Sequence, residues 1–176
     1  LARLASVRDH DARPPGCLAV WQPDDLPAGL GGLKLGSPDA QAGAAAARCI
    51  EQAVRAIQAG HADAMVTAPI HKAALAAAGI GYPGHTEMLQ ALAAAPGAAV
   101  PPVRMMLAND ELKVVLVTIH QSLRSAIEAV TFDAVLQTLR IAHAAARAWG
   151  LPAARIAVAG LNPHAGEEGL FGDEEI

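Results

Sequence analysis

Ala64-Met65-Val66-Thr67-Ala68-Pro69-Ile70-His71-Lys72 decides the fold class. Ala64 to Ala68 reads as a buried strand, which Pro69 ends, and a short helix from Ile70 to Ala78 closes at Gly79. Upstream, Ser37-Pro38-Asp39 reads as a helix start, with Ser37 as cap and proline at the first helical position. That helix should run to about Ala59, with Ala46, Ile50, Val54 and Ile57 on one face, and end at Gly60. Helix, strand and helix in this order predict an α/β protein.

The pattern continues in both directions. Leu1 to Gly36 is irregular, broken by Pro14, Pro15, Pro23, Pro27 and Gly31-Gly32, with a short strand near Leu18–Trp21 in an edge hairpin. Residues 1–36 are thus an irregular segment with short strands, and 37–176 an α/β portion. After the turn Gly81-Tyr82-Pro83-Gly84, Thr86 can cap a helix reaching about Ala95. Val103–Leu107 and Lys113–Ile119 read as strands about an Asn109-Asp110 turn. A short helix at Leu123–Ala129 follows, then a long one from Phe132 to Trp149, capped by Thr131 and stopped by Gly150 and Pro152. Arg155 to Leu161 is a further strand, and Asp173-Glu174-Glu175-Ile176 reads as the start of a helix.

Composition narrows the function classes. The 176 residues are 53% hydrophobic and 17% charged, but 42 of them are alanine. These alanines fall mainly on helices and imply close packing. Net charge is −4, which argues against a nucleic-acid backbone binder. No apolar run is long enough for a membrane span. Cys17 and Cys49 lack metal spacing and make no disulfide framework, and no signal peptide opens the chain, so a reducing cytoplasm is expected. Leu1 is not an initiator methionine, so a processed, trimmed or incomplete chain is expected.

Three histidine-bearing motifs share one address, just past the end of an expected strand, where open α/β sheets bind ligands. They are Thr67-Ala68-Pro69-Ile70-His71-Lys72, Thr118-Ile119-His120, and Leu161-Asn162-Pro163-His164-Ala165-Gly166-Glu167. His120 and His164 at matched strand ends would supply two imidazoles to a divalent ion, with Glu167 as an additional candidate. Either histidine is also satisfied by a simple backbone hydrogen bond. Gly84-His85-Thr86-Glu87 is an anion-site candidate: a glycine for close approach, then free N–H groups at a helix start. Simple capping by Thr86 is the alternative. Lys72 is either a phosphate contact or a solvated lysine. His10, His61 and His143 read as surface or helix residues. No Gly-x-Gly-x-x-Gly turn, Walker loop or nucleophile elbow is present.

Val66-Thr67-Ala68-Pro69-Ile70-His71-Lys72, Gly79-Ile80, Gly84-His85-Thr86-Glu87, Leu116-Val117-Thr118-Ile119-His120 with Leu123-Arg124, and Gly160-Leu161-Asn162-Pro163-His164-Ala165-Gly166-Glu167 resemble the 4-hydroxythreonine-4-phosphate dehydrogenase family. The resemblance runs from about Ser37 to Ile176. It implies a two-domain α/β/α architecture like that of isocitrate and isopropylmalate dehydrogenases, of which this chain is a central part. It implies NAD-dependent (or NADP-dependent), divalent-metal-dependent oxidation and decarboxylation of 4-phosphohydroxy-L-threonine to 3-amino-2-oxopropyl phosphate, in pyridoxal phosphate synthesis. The ion would be zinc, magnesium or cobalt. The resemblance also implies that His85 and Thr86 bind substrate, as a Lys72 phosphate contact would, and that His120 and His164 are two of three metal-binding histidines. Which residues are catalytic, and which bind the nicotinamide cofactor, stays open. A cytoplasmic homodimer with shared active sites is implied, with no nucleic-acid or membrane partner.

The chain departs from the family in two respects. The glycine- and proline-rich opening motif is not seen before Leu1. The third metal histidine, the lysine after it, and most NAD and phosphate contacts are expected beyond Ile176. The isolated 176 residues are therefore expected to bind metal weakly and to be inactive. Two other readings stay open: a sister dehydrogenase acting on D-threonate or D-erythronate 4-phosphate, and a non-catalytic metal-binding fragment.

Overall fold

Asp39 starts the longest helix, α1 (Ala40–Gln58). Its side-chain Oδ1 accepts the N–H groups of Gln41 at 2.7 Å and Ala42 at 3.2 Å. Asp39 is thus the cap in place of the expected Ser37, whose hydroxyl instead donates to the Lys34 carbonyl. A carboxylate satisfies two orphan donors at once and complements the helix dipole, so the later residue wins. The computed structural model describes residues 1–95 and 97–176. They form two compact units, Leu1–Pro102 and Val103–Ile176.

The first unit is built on α1, α2 (Lys72–Ala77) and α3 (His85–Ala93). Its core joins Ala47 and Ile50 of α1, Leu75 of α2 and Met88 of α3, with Met65, Ile70 and Ile80 packed against it. The buried face of α1 includes Gly43, Ala47 and Ile50, at helical spacing. Of the four residues expected on that face, Ile50 is buried and Ala46, Val54 and Ile57 are half-buried. Small residues at 43 and 47 let α2 lie close against α1, which is the close packing the alanine content implied. In the N-terminal segment, β1 (Ala2–Leu4) pairs with β2 (Ala19–Trp21) in parallel, Ala2 opposite Ala19 and Leu4 opposite Trp21. The expected hairpin is therefore not formed. A 3-10 segment, Val7–Ala12, lies between the strands and returns the chain to the starting side, which a tight turn cannot do.

In the second unit, β3 (Met106–Ala108) runs antiparallel to β4 (Lys113–Val115). Asn109 makes the turn, its side-chain oxygen accepting the N–H groups of Glu111 and Leu112. Then come α4 (Leu123–Ala129), capped by Ser122, and α5 (Phe132–Ala148), capped by Thr131. Arg104 ties the approach to β3 onto α5. Its Nε donates to Thr138 Oγ1 at 2.7 Å and its Nη2 to Gln137 Oε1 at 2.7 Å, while the buried Thr138 hydroxyl donates back to the Ala134 carbonyl.

Two expected strands are not formed. Ala64–Ala68 and Arg155–Leu161 have no ladder partner among the described residues. Val66 is 99% exposed and Val158 62%. A β-strand needs a neighbour to satisfy its backbone, so an apolar run with strand propensity stays irregular without one. The second hairpin strand likewise stops at Val115, short of the expected Ile119. No helix among the described residues is long and apolar enough to cross a membrane.

Candidate functional site

The candidate anion site lies in the first unit, at the starts of α2 and α3. Lys72 is the first residue of α2 and His85 the first of α3. Gly84 is the α3 N-cap, with extended backbone and no side-chain cap, so Thr86 falls inside the first turn and does not cap it. The first-turn N–H groups therefore have no side-chain oxygen competing for them. A Cβ at residue 84 would stand 3.9 Å from Lys72 Cε and 3.4 Å from Glu87 Oε2. Lys72, from one sequence motif, and His85-Thr86, from another, thus share one neighbourhood around Gly84. Glu87 borders it too, which narrows the place for an anion to the Lys72 side. His85 Nε2 is buried without a hydrogen-bond partner. A buried imidazole nitrogen left unpaired costs desolvation energy that a ligand oxygen would offset.

His120 and His164 both lie in the second unit, and both are exposed. Both adopt left-handed backbone, with φ of 53° and 54°. Residues with a Cβ seldom take that conformation, and it clusters at functional sites. The donor type, two imidazoles, suits a divalent transition ion. Their number is short: among the described residues no group of three or more His, Cys, Asp or Glu could hold a metal. Glu167 follows His164 in left-handed backbone, its N–H donating to the His164 carbonyl at 3.1 Å. Cys17 and Cys49 are both free. Burial pushes the Cys49 thiol pKa up, so it is a poor metal ligand or nucleophile.

Sequence reasoning missed one feature of this loop. The run Asp173–Ile176 turns, the Ile176 N–H donating to the Asp173 carbonyl at 3.1 Å, and its carboxylates reach back to residues 161 and 162. Glu175 Oε1 accepts the N–H groups of Leu161 and Asn162, each at 2.7 Å. The Asn162 side-chain amide donates to Glu175 Oε2 at 3.0 Å and to Glu174 Oε2 at 2.5 Å. The Asn162 N–H, followed by its side-chain amide, holds the Glu175 carboxyl below its ordinary pKa. The available signal was Asn162 itself, before Pro163, whose half-buried side-chain amide calls for an acceptor.

The sequence as a whole matches the family described as pyridoxal phosphate biosynthetic protein PdxA over residues 3–176. The chain belongs to the PdxA family. A PdxA-like relative from Beijerinckia indica, named 4-hydroxythreonine-4-phosphate dehydrogenase, is 56% identical over 142 residues, covering 81% of this chain and 41% of that protein. One from Pectobacterium atrosepticum, named D-threonate 4-phosphate dehydrogenase, is 46% identical over 144 residues, covering 82% of this chain and 43% of that protein. The crystal structure of 4-hydroxythreonine-4-phosphate dehydrogenase from Klebsiella pneumoniae superposes with a TM-score of 0.86 at 38% identity, covering 99% of this chain and 50% of that one. The PdxA chain described here spans about half the length of the curated relatives it matches.

Proposed function

We propose that this chain is part of an NAD-dependent (or NADP-dependent), divalent-metal-dependent dehydrogenase that oxidises and decarboxylates 4-phosphohydroxy-L-threonine to 3-amino-2-oxopropyl phosphate, in pyridoxal phosphate synthesis. Membership of the PdxA family over residues 3–176 carries this reading. The name shared by the Beijerinckia and Klebsiella relatives supports it. We further propose the isocitrate dehydrogenase-like two-domain architecture, a cytoplasmic homodimer with shared active sites, and a soluble phosphorylated hydroxy acid as the small-molecule partner.

The roles follow from the chemistry of each position. Lys72 supplies a positive charge for an anionic group of the substrate, and the free N–H groups of the first α3 turn, with the Thr86 hydroxyl, supply directed donors. His85 offers its buried Nε2 to a substrate oxygen, and having no protein partner, it gives up no internal bond to do so. His120 and His164 are two of the ligands for a zinc, magnesium or cobalt ion. When bound, the ion supplies Lewis acidity at the substrate's hydroxyl and carboxylate, and the nicotinamide supplies the hydride acceptor.

The decisive experiment is NADH formation by the intact protein with 4-phosphohydroxy-L-threonine and D-threonate 4-phosphate in parallel, each with and without a chelator. Chelator-sensitive turnover of the first substrate is expected. Turnover of D-threonate 4-phosphate alone would favour the second reading, which the Pectobacterium relative motivates. Folded, metal-loaded protein that turns over neither would remove both.

A further inference from the structure

We propose that Glu175 is a positioning residue that holds the His164 loop in its working conformation through the N–H groups of Leu161 and Asn162. The inference rests on the reading of His164 as a metal ligand. Its basis is a concentration of unfavourable backbone whose entry is held from outside, by Glu175 on the N–H groups of Leu161 and Asn162 and by Glu174 and Glu175 together on the Asn162 amide. His164, Ala165, Glu167 and Glu168 all have positive φ, between 43° and 56°, and Gly166 between them has φ of 78°. Left-handed backbone is disfavoured for each residue with a Cβ, so such a run persists only where its surroundings over-determine it. Bonds inside the loop close short turns, Ala165 N–H to Asn162 O and Glu167 N–H to His164 O among them. They do not anchor its entry.

The entry is anchored by Glu175. One carboxylate oxygen accepts two consecutive N–H groups, and the other accepts the Asn162 amide. Charge-assisted bonds of this kind are about twice as strong as neutral ones. The two chain segments are also pressed together at two glycines. A Cβ at residue 166 would stand 2.5 Å from the Gly172 carbonyl oxygen and 3.2 Å from Glu175 Oε2. A Cβ at residue 172 would stand 2.5 Å from the Asn162 amide nitrogen. Phe171, between them, sets its ring 5.9 Å from that of His164, at 33°. The carboxylate therefore fixes residues 161 and 162, and with them the direction in which the chain enters His164. Groups behind a metal ligand commonly act in this way, by orienting the ligand without touching the ion.

The test uses the intact protein with cobalt(II) as the only added metal. Backbone amide hydrogen exchange at Leu161 and Asn162, cobalt affinity by titration calorimetry, and Tm are measured for Glu175→Ala, Glu175→Gln and His164→Ala. In Glu175→Ala, exchange at 161 and 162 should accelerate at least about tenfold and cobalt affinity should fall about tenfold, with Tm nearly unchanged. Glu175→Gln should recover much of both, because its amide oxygen can still accept the two backbone N–H groups; it also serves if the alanine variant fails to fold. Unchanged exchange in Glu175→Ala overturns the proposal. So does faster exchange with unchanged cobalt affinity when His164→Ala abolishes binding. Cobalt binding that survives His164→Ala removes the metal reading and the positioning role with it, while the exchange rates still report whether the restraint exists.

Discussion

Gly43 of α1 lies so close to Ala74 of α2 that a Cβ at residue 43 would overlap the Ala74 carbonyl. The obstacle is backbone, which cannot swing aside as a flexible side chain does. The helix pair therefore holds its spacing only while residue 43 has no side chain. Gly43→Ala should destabilise the fold by at least about 1–3 kcal/mol despite the better helix propensity of alanine, worth about 1 kcal/mol. Urea unfolding of the intact protein checks this; a stabilised variant would show that α1 and α2 are not packed as described.

Leu75 is fully buried at the centre of the same core. Leu75→Ala should cost about 2–5 kcal/mol, the usual range for a large cavity-forming change. Leu75→Met should cost less than about 1.5 kcal/mol, because volume is conserved. Equal losses in the two variants, read from chemical denaturation, would argue against a cavity effect.

Asp25 pairs with Arg48, which also binds Glu51 at 2.8 Å. The hydrogen bond from Arg48 holds the Asp25 pKa below its ordinary 3.8. A folded pKa below the unfolded value means that the stabilisation is present above about pH 4 and disappears as pH falls through the folded value. Asp25→Asn should therefore lower Tm slightly at about pH 6, and the difference should shrink as pH falls below the ordinary 3.8. Asp25 is exposed and Arg48 only half-buried, so the effect is small and salt should weaken it. A difference constant from pH 6 to pH 3 would refute the pairing.

Thr131 caps α5 by accepting the Ala134 N–H at 3.2 Å. Thr131→Ala should cost about 1 kcal/mol, and Thr131→Ser should restore most of it. Thermal melts of the three proteins decide the matter.

His85→Ala should raise the substrate KM of the intact enzyme about tenfold, the value of one hydrogen bond to a charged group, and leave metal content unchanged. His120→Ala and His164→Ala should instead weaken metal binding by more than a factor of about 100, since losses up to that size follow from changing groups merely behind a ligand. Loss of metal in His85→Ala, measured by elemental analysis, would mean that its role has been misassigned.

Local signals were legible in the sequence wherever the physics is local. Thr131 before Phe132, Asn109 at the hairpin turn and the boundaries Leu123–Ala129 are all where the residues put them. Caps and turns are made by side chains bonding backbone two or three residues away, and such distances are written in the chain itself. The cap of α1 was missed by two residues because Ser37 and Asp39 are both acceptable, and only the geometry of the entering chain selects between them. The residues around Gly84 were recognised as separate motifs; packing of α2 and α3 against α1 brought Lys72 beside them.

The sequence by itself determined the α/β character, most of the helix limits and the histidine motifs that mark the family. Tertiary structure alone decided which apolar runs become strands. Val66 and Val158 carry the propensity, but pairing is a non-local bond whose partner no single segment contains. The restraint of the His164 loop belongs to the same class. The hold of Glu175 on Asn162 joins residues 13 positions apart, through a backbone path that no propensity encodes.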